Sequence, residues 1–101
     1  MKLKYTPDAI ADLQNTKAYI SNVLRNPKAA NRIIKQILDV CGSLKDHPNL
    51  GMSLEAKTDI DTDLKYLICE NHLVFYRIDG DWIMIARILD GRTDYMRVIF
   101  K

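Results

Sequence analysis

An α+β fold, with a helical hairpin packed on a small, mostly antiparallel twisted sheet, follows from three features of the sequence. The first is the stretch His72–Leu89, where HLVFYRI and WIMIARIL flank Asp79-Gly80-Asp81. Runs rich in β-branched and aromatic residues around a short Asp-Gly connector are a strong hairpin signal. The second is a pair of segments, opening at Thr6-Pro7 and Asn26-Pro27, whose apolar residues recur at helical spacing. The third is the order of these signals along the chain, strand, helix, helix, strand, strand, strand, or βααβββ. Segregated helices and strands of this kind place the helices on one face of the sheet.

Taken in order, Lys2–Thr6 alternates Leu3 and Tyr5 with Lys2 and Lys4, which predicts a short outer strand with lysine on its wet side. Thr6 then caps a helix, Pro7 takes the first helical position and Asp8 sits at the positive end of the dipole. Ala9, Leu13, Thr16, Ile20 and Val23, widened by Ile10 and Leu24, form the apolar stripe of a helix expected to end near Leu24. Asn26-Pro27 repeats the start signal. Ala30, Ile33, Ile34, Ile37, Leu38, Cys41 and Leu44 make a second stripe running to about Lys45, before Pro48. A link this short folds the two helices back on each other.

His47–Asp63 reads as one long irregular segment, of the kind that in a compact domain often carries function. Its Asp59, Asp61 and Asp63 lack the glycine and closing glutamate of a calcium loop, so no metal site is expected. Leu64–Cys69 is the next strand, and Glu70-Asn71 a tight turn into the central hairpin. After the hairpin, Tyr95–Phe100 (YMRVIF) is apolar enough for a last strand or a docked tail. The first strand must rejoin the sheet beside one of these later strands.

At 101 residues the chain is expected to be one domain, residues 1–101, with no room for a separate cofactor domain. No cofactor is expected. The 48% hydrophobic and 28% charged residues are ordinary for a soluble protein. No apolar run reaches the ~20 residues needed to cross a bilayer. The start MKLKYTPDAIADL has no apolar leader, so the cytoplasm is the expected location, without membrane contact. Cys41 and Cys69 form no metal-type pair and read as small buried hydrophobes. A net charge of +2 is compatible with nucleic acid or an acidic protein and decides between neither.

The start Tyr5-Thr6-Pro7-Asp8-Ala9, the phrase HPNLG, the phrase LVFYRIDGD and the ending RILDGRTDYMRVIF, in a βααβββ order, together resemble the RelE/ParE superfamily, bacterial toxins of type II toxin–antitoxin systems also described as plasmid stabilisation proteins. The resemblance implies a compact toxin neutralised by a cognate antitoxin that packs along its helices and sheet. It also implies one of two activities. RelE-like members cut messenger RNA on the ribosome. ParE-like members block DNA gyrase by protein–protein contact and need no catalytic set.

For RNA cleavage, a base, an acid and cations for the phosphate charge are required. By resemblance, the RelE-like candidates are Lys65, His72, Arg92 and Tyr95. His72 stands where that branch carries arginine, and Tyr95 is displaced from the expected terminal tyrosine. Each also has a plain structural reading: Lys65 as a solvent-facing strand residue, His72 as a turn residue, Arg92 as a loop arginine paired with Asp90 or Asp94, Tyr95 as a tail anchor. The nuclease reading requires Lys65, His72 and Arg92 to converge on one concave face. For the ParE-like reading, Arg77, Trp82, Arg87 and Tyr95 are the candidate partner-binding residues, because exposed Trp, Tyr and Arg dominate recognition surfaces. The alternative is a core tryptophan with arginines at the sheet rim. The sequence thus points to a ParE-like toxin with an antitoxin partner and gyrase as target. The alternatives are a ribosome-dependent mRNA nuclease and a non-toxic relative that only binds. Antitoxin is expected at the outer groove of the helical hairpin and at the sheet edge.

Overall fold

The computed structural model describes residues 1–100. The chain opens with strand β1 (Lys2–Tyr5), and Thr6 caps helix α1 (Pro7–Ala18). The Thr6 hydroxyl accepts from the Ala9 N–H at 3.0 Å and donates to the Ala86 carbonyl at 2.7 Å. One side chain thus starts the helix and ties it to a strand eighty residues later. Regular α-helix stops at Ala18 and gives way to a π-helical turn, Tyr19–Val23. That wider turn changes the rotational phase, so Val23 and Leu24, expected on the inner stripe, are exposed. Arg25 reverses the chain at φ 53°, and Asn26 caps helix α2 (Pro27–Ser43) by accepting from the Ala29 N–H.

His47–Asp63 is not wholly irregular. It holds a two-residue strand β2 (Met52–Ser53) and a short helix α3 (Leu54–Thr58), capped by the Ser53 hydroxyl. Both are too short to give a periodic signal. Strands β3 (Lys65–Cys69), β4 (His72–Asp79) and β5 (Trp82–Asp90) follow. The five strands lie in the order β1-β5-β4-β3-β2, antiparallel except for the parallel pair β1–β5. The β4–β5 connection is shifted by one residue from the expected Asp79-Gly80. Asp79 pairs with Trp82, so Gly80 and Asp81 are the turn, and only Gly80 needs a positive φ (58°). The β3–β4 turn is the opposite case. Glu70 and Asn71 both lie in the left-handed region, the pattern of a type I′ hairpin turn built without glycine. Of the two readings of the tail the docked one holds: Tyr95–Ile99 is a short helix, α4, packed on the second apolar cluster, and no strand.

Two apolar clusters flank the sheet. On the helix side, Ala9, Ile37, Cys41 and Leu44 pack on Val74, Tyr76, Ile83, Ile85 and Ile88. Fully burying one such aliphatic side chain is worth about 1.5–3 kcal/mol. On the other face, Leu54, Leu64, Tyr66, Leu73, Phe75 and Leu89 are covered by Tyr95, Val98, Ile99 and Phe100. Cys41 and Cys69 are buried free thiols, and burial pushes the Cys41 thiol up to about 11.

The phrase HPNLG finds its partner in the core. The buried Tyr76 hydroxyl donates to the Pro48 carbonyl and accepts from the Gly51 N–H, both at 2.8 Å. A Cβ on Gly51 would lie 2.6 Å from the Tyr76 ring, so only glycine lets the loop close on that hydroxyl. The loop is thereby pinned to Tyr76 at Gly51, and β2 holds only the two residues that follow it.

Candidate functional site

A bulge shapes the ends of β5. Phe75 pairs with Arg87 while Tyr76 pairs with Ile85, leaving Ala86 as the extra residue. Beyond the bulge β1 has ended, because Tyr5 pairs with Ile85 and Thr6 already turns into α1. The exposed edge of β5 is completed by a side chain instead of a strand. The Asp12 carboxylate accepts from the Ile88 N–H at 2.9 Å and from Arg87 Nε and Nη2, both at 2.8 Å. Asp12 is only 10% exposed and Arg87 25%. The Asp12 hydrogen bonds raise the Arg87 pKa further above its ordinary value. Arg87 is therefore tied to α1, with about a quarter of its side chain exposed.

At the C-terminal end of β5 the surface opens into a cleft of about 1370 Å3. One wall is the tip of the helical hairpin, with Tyr19, Leu24 and Ile33. The floor is the end of the sheet, with Ile68 and His72. Lys57, Tyr95 and Arg92 also line the cleft. Tyr19, Leu24 and Ile68 are 45%, 56% and 66% exposed, so the cleft has an apolar lining open to solvent.

Three of the four nuclease candidates line this cleft, and the fourth does not. His72 is 7% exposed, with Nδ1 2.9 Å from the Glu70 carbonyl. Only a protonated Nδ1 can donate there, so in the neutral ring Nε2 is left as the acceptor. Arg92 grips Asp90, from Nε to Oδ1 at 3.1 Å and from Nη2 to Oδ2 at 3.2 Å, and its backbone N–H adds 2.8 Å to Oδ1. This grip holds the Asp90 carboxyl below its usual range. Asp90 in turn raises Arg92, with Tyr19 adding to the effect. The Arg92 charge is thus already answered within the molecule. The Tyr95 ring lies 5.5 Å from Phe75, tilted by 42°, and the Lys57 ammonium lies 5.9 Å from the Tyr95 ring. Lys65, in contrast, pairs with Tyr76 and Ser53 at the start of β3. His72 pairs with Cys69 at the other end, roughly 13 Å along the strand at ~3.3 Å per residue. Lys65, His72 and Arg92 do not converge.

The remaining candidates lie apart. Arg77 is paired with Asp63 at 3.1 Å, far from the cleft. Trp82 faces β1, with the Lys2 and Lys4 ammoniums 5.4 and 4.9 Å from its ring. The cations stacked on the tryptophan are these lysines, not Arg77 or Arg87. Among the described residues no cluster of His, Cys, Asp or Glu could hold a metal ion. Asp59 instead terminates α3 with φ 60°, and Asp63 holds Arg77. No helix of the described residues is long and apolar enough to cross a membrane.

Sequence reasoning did not find Tyr19, Ile68 or Lys57 as cleft residues. Tyr19 and Leu24 are exposed by the π-turn, which no local sequence signal announced. Ile68 is exposed because β2 stops short, which depends on Gly51 and Tyr76.

The family model of the ParE toxin of the type II toxin–antitoxin system parDE matches residues 3–95. Among solved structures, the chain is similar to one described as a chromosomal ParDE TA system from P. aeruginosa. The TM-score is 0.74 at 26% identity, over 89% of this chain and 95% of that one. A search of curated proteins returned no match.

Proposed function

The chain belongs to the ParE toxin family of type II toxin–antitoxin systems, and on that premise we propose that it stops growth by binding DNA gyrase and is silenced by a cognate antitoxin seated in the cleft. The observation that carries the choice of target is the separation of Lys65 from His72 and Arg92. A nuclease needs its cations gathered on the scissile phosphate. Here Lys65 is at the far end of β3 and the Arg92 guanidinium is answered by Asp90. A protein–protein inhibitor requires no such set. Antitoxin binding is supported by the apolar lining of the cleft, which the toxin alone leaves in water.

His72, Arg92 and Tyr95 do share one cleft, and this observation keeps the mRNA nuclease as the second reading. Expression of the chain in a bacterium separates the two. Growth arrest with an early DNA-damage response and intact messages is the expected result, together with loss of gyrase supercoiling by purified protein. Messages cut within codons, while DNA stays intact, would transfer the function to His72, Arg92 and Tyr95. Folded protein at full expression with no effect on growth would make the chain a non-toxic binding relative.

A further inference from the structure

The tip of the helical hairpin holds one residue more than a regular helix end. In the turn Tyr19–Val23 the Leu24 N–H reaches five residues back, to the Tyr19 carbonyl at 3.1 Å. The extra residue carries through into the cap. Arg25 lies in the left-handed region, and the Asn26 N–H that follows reaches six residues back, to the Ile20 carbonyl at 3.0 Å. A Schellman cap reaches five. No proline or glycine stands in Tyr19–Leu24 to impose the wider turn. Its result is unfavourable in water, because Val23 and Leu24 are 64% and 56% exposed. Continued as a regular α-helix, the same two residues fall on the stripe of Ala9, Leu13 and Ile20, at steps of three and four. The apolar pattern therefore suits a second conformation of the tip, in which both side chains turn inward.

One contact favours the wider turn. Tyr19, whose carbonyl accepts the π bond, stands close enough to Arg92 for its phenol to act on the guanidinium, and Arg92 is itself anchored on Asp90. Tyr19, Leu24, Asp90 and Arg92 all line the cleft. We propose that the hairpin tip is a two-state element that gates the cleft. In one state a π-turn, held by the Tyr19–Arg92–Asp90 contact, keeps Val23 and Leu24 outward. In the other a regular α-helix turns both inward and withdraws Leu24 from the cleft lining. Passing between them moves the Leu24 N–H from the Tyr19 carbonyl to the Ile20 carbonyl, so that group stays bonded in either state. Arg25 and Asn26 absorb the change of one residue before α2 begins. A partner that packs on Leu24 selects the first state, and one that draws Arg92 off Tyr19 selects the second. The device is the same whichever partner occupies the cleft.

The test is NMR on the full chain and on its Arg92→Ala and Tyr19→Phe variants. Couplings through the hydrogen bond identify the acceptor of the Leu24 N–H, and a soluble gadolinium chelate reads methyl exposure. In the unmutated chain the Leu24 N–H should couple to the Tyr19 carbonyl, with the Val23 and Leu24 methyls strongly relaxed by the chelate. In both variants the coupling should move to Ile20, and the relaxation of those methyls should fall about twofold or more. Variants that keep the Tyr19 coupling, with relaxation within about a fifth of the unmutated values, would make the π-turn a fixed feature and overturn the inference. A change in one variant alone would also overturn it, since the contact needs both side chains. Loss of both couplings with a rise in relaxation would show the tip fraying instead of forming helix, with the same consequence. An Ile20 coupling already present in the unmutated chain would remove the π state itself. Tyr19 and Arg92 are exposed, so both variants fold, and the measurement on the unmutated chain needs no variant. No partner is involved, so the toxin reading stands or falls separately.

Discussion

Strand β5 carries two aspartate–arginine pairs that look alike in chemistry and differ in consequence. Asp12–Arg87 and Asp90–Arg92 both use Nε and a terminal nitrogen, and in both the carboxylate also accepts a backbone N–H of β5 or its exit. The first pair joins elements 75 residues apart and is largely buried. The second spans two residues, with Arg92 82% exposed. A pair in water gains little and is screened, whereas a buried charge left alone is costly. The same two residue types therefore close the fold at Arg87, just past the bulge, and shape an open surface at Asp90, where β5 ends.

The two pairs differ most at Asp12. Asp12→Ala strands the Arg87 charge and the Ile88 N–H together, and we expect a loss of about 3 kcal/mol in urea unfolding, the low end for a buried pair. The double replacement of Asp12 by Leu and Arg87 by Met should recover part of that loss, because no charge is then left unpaired. A loss under half of this for Asp12→Ala would mean that water reaches the pair and that the two pairs are equivalent. Next in size is Gly51→Ala, at the level of the sheet where the helices close over Tyr76. Its Cβ meets the Tyr76 ring at 2.6 Å and the Tyr66 carbonyl at 2.9 Å. About 2 kcal/mol of destabilisation is expected, read from the same unfolding curves.

A smaller effect appears on the alkaline side. Cys41 sits under the closed half of the sheet, and burial raises its thiol from 9.0 to about 11. A raised pKa means that the folded state keeps the proton which the unfolded chain gives up. That contribution is fully present below pH 9.0 and is lost as pH rises through about 11. The urea midpoint should fall across this window, and Cys41→Ala should flatten the fall. Half-buried Tyr5, raised by desolvation beside Cys41, keeps part of the slope. The smallest effect is at the open end. Arg92→Ala should leave the thermal midpoint unchanged while altering partner binding at the cleft mouth. A clear drop in the midpoint would place Arg92 in the same structural class as Arg87.

Which parts of this were legible in the sequence follows from distance along the chain. The caps at Thr6 and Asn26, the hairpins and the outer place of β1 are local signals, and they are where the sequence puts them. The one-residue offset of the Gly80-Asp81 turn is a register effect, decided by pairing across β4 and β5. β2, α3 and α4 were missed or misassigned because two to five residues cannot show a period. HPNLG was recognisable as a phrase, but its purpose lies in the hydroxyl of Tyr76, 25 residues on. Asp12 carried no mark at all: a polar residue on a helix is unremarkable until Ile88 is seen to lack a strand partner. Arg87 read as a surface anchor for the same reason. At the cleft, His72, Arg92 and Tyr95 were named from family resemblance, whereas Ile68 and Tyr19 owe their exposure to a truncated strand and a π-turn.

The parallel pairing of β1 with β5 also has a consequence for how the protein is made. Lys2–Tyr5 dock on Trp82–Ile85, Thr6 on Ala86 and Asp12 on Arg87. The first strand and the first helix therefore have nowhere to settle until residue 88 or so has left the ribosome. Closing so long a loop costs more chain entropy than forming the local β3–β4 and β4–β5 hairpins. During synthesis the chain passes most of its length as an incomplete sheet with no finished β5. A translation product that stops before β5 lacks the strand on which β1 docks and the partners of Thr6 and Asp12.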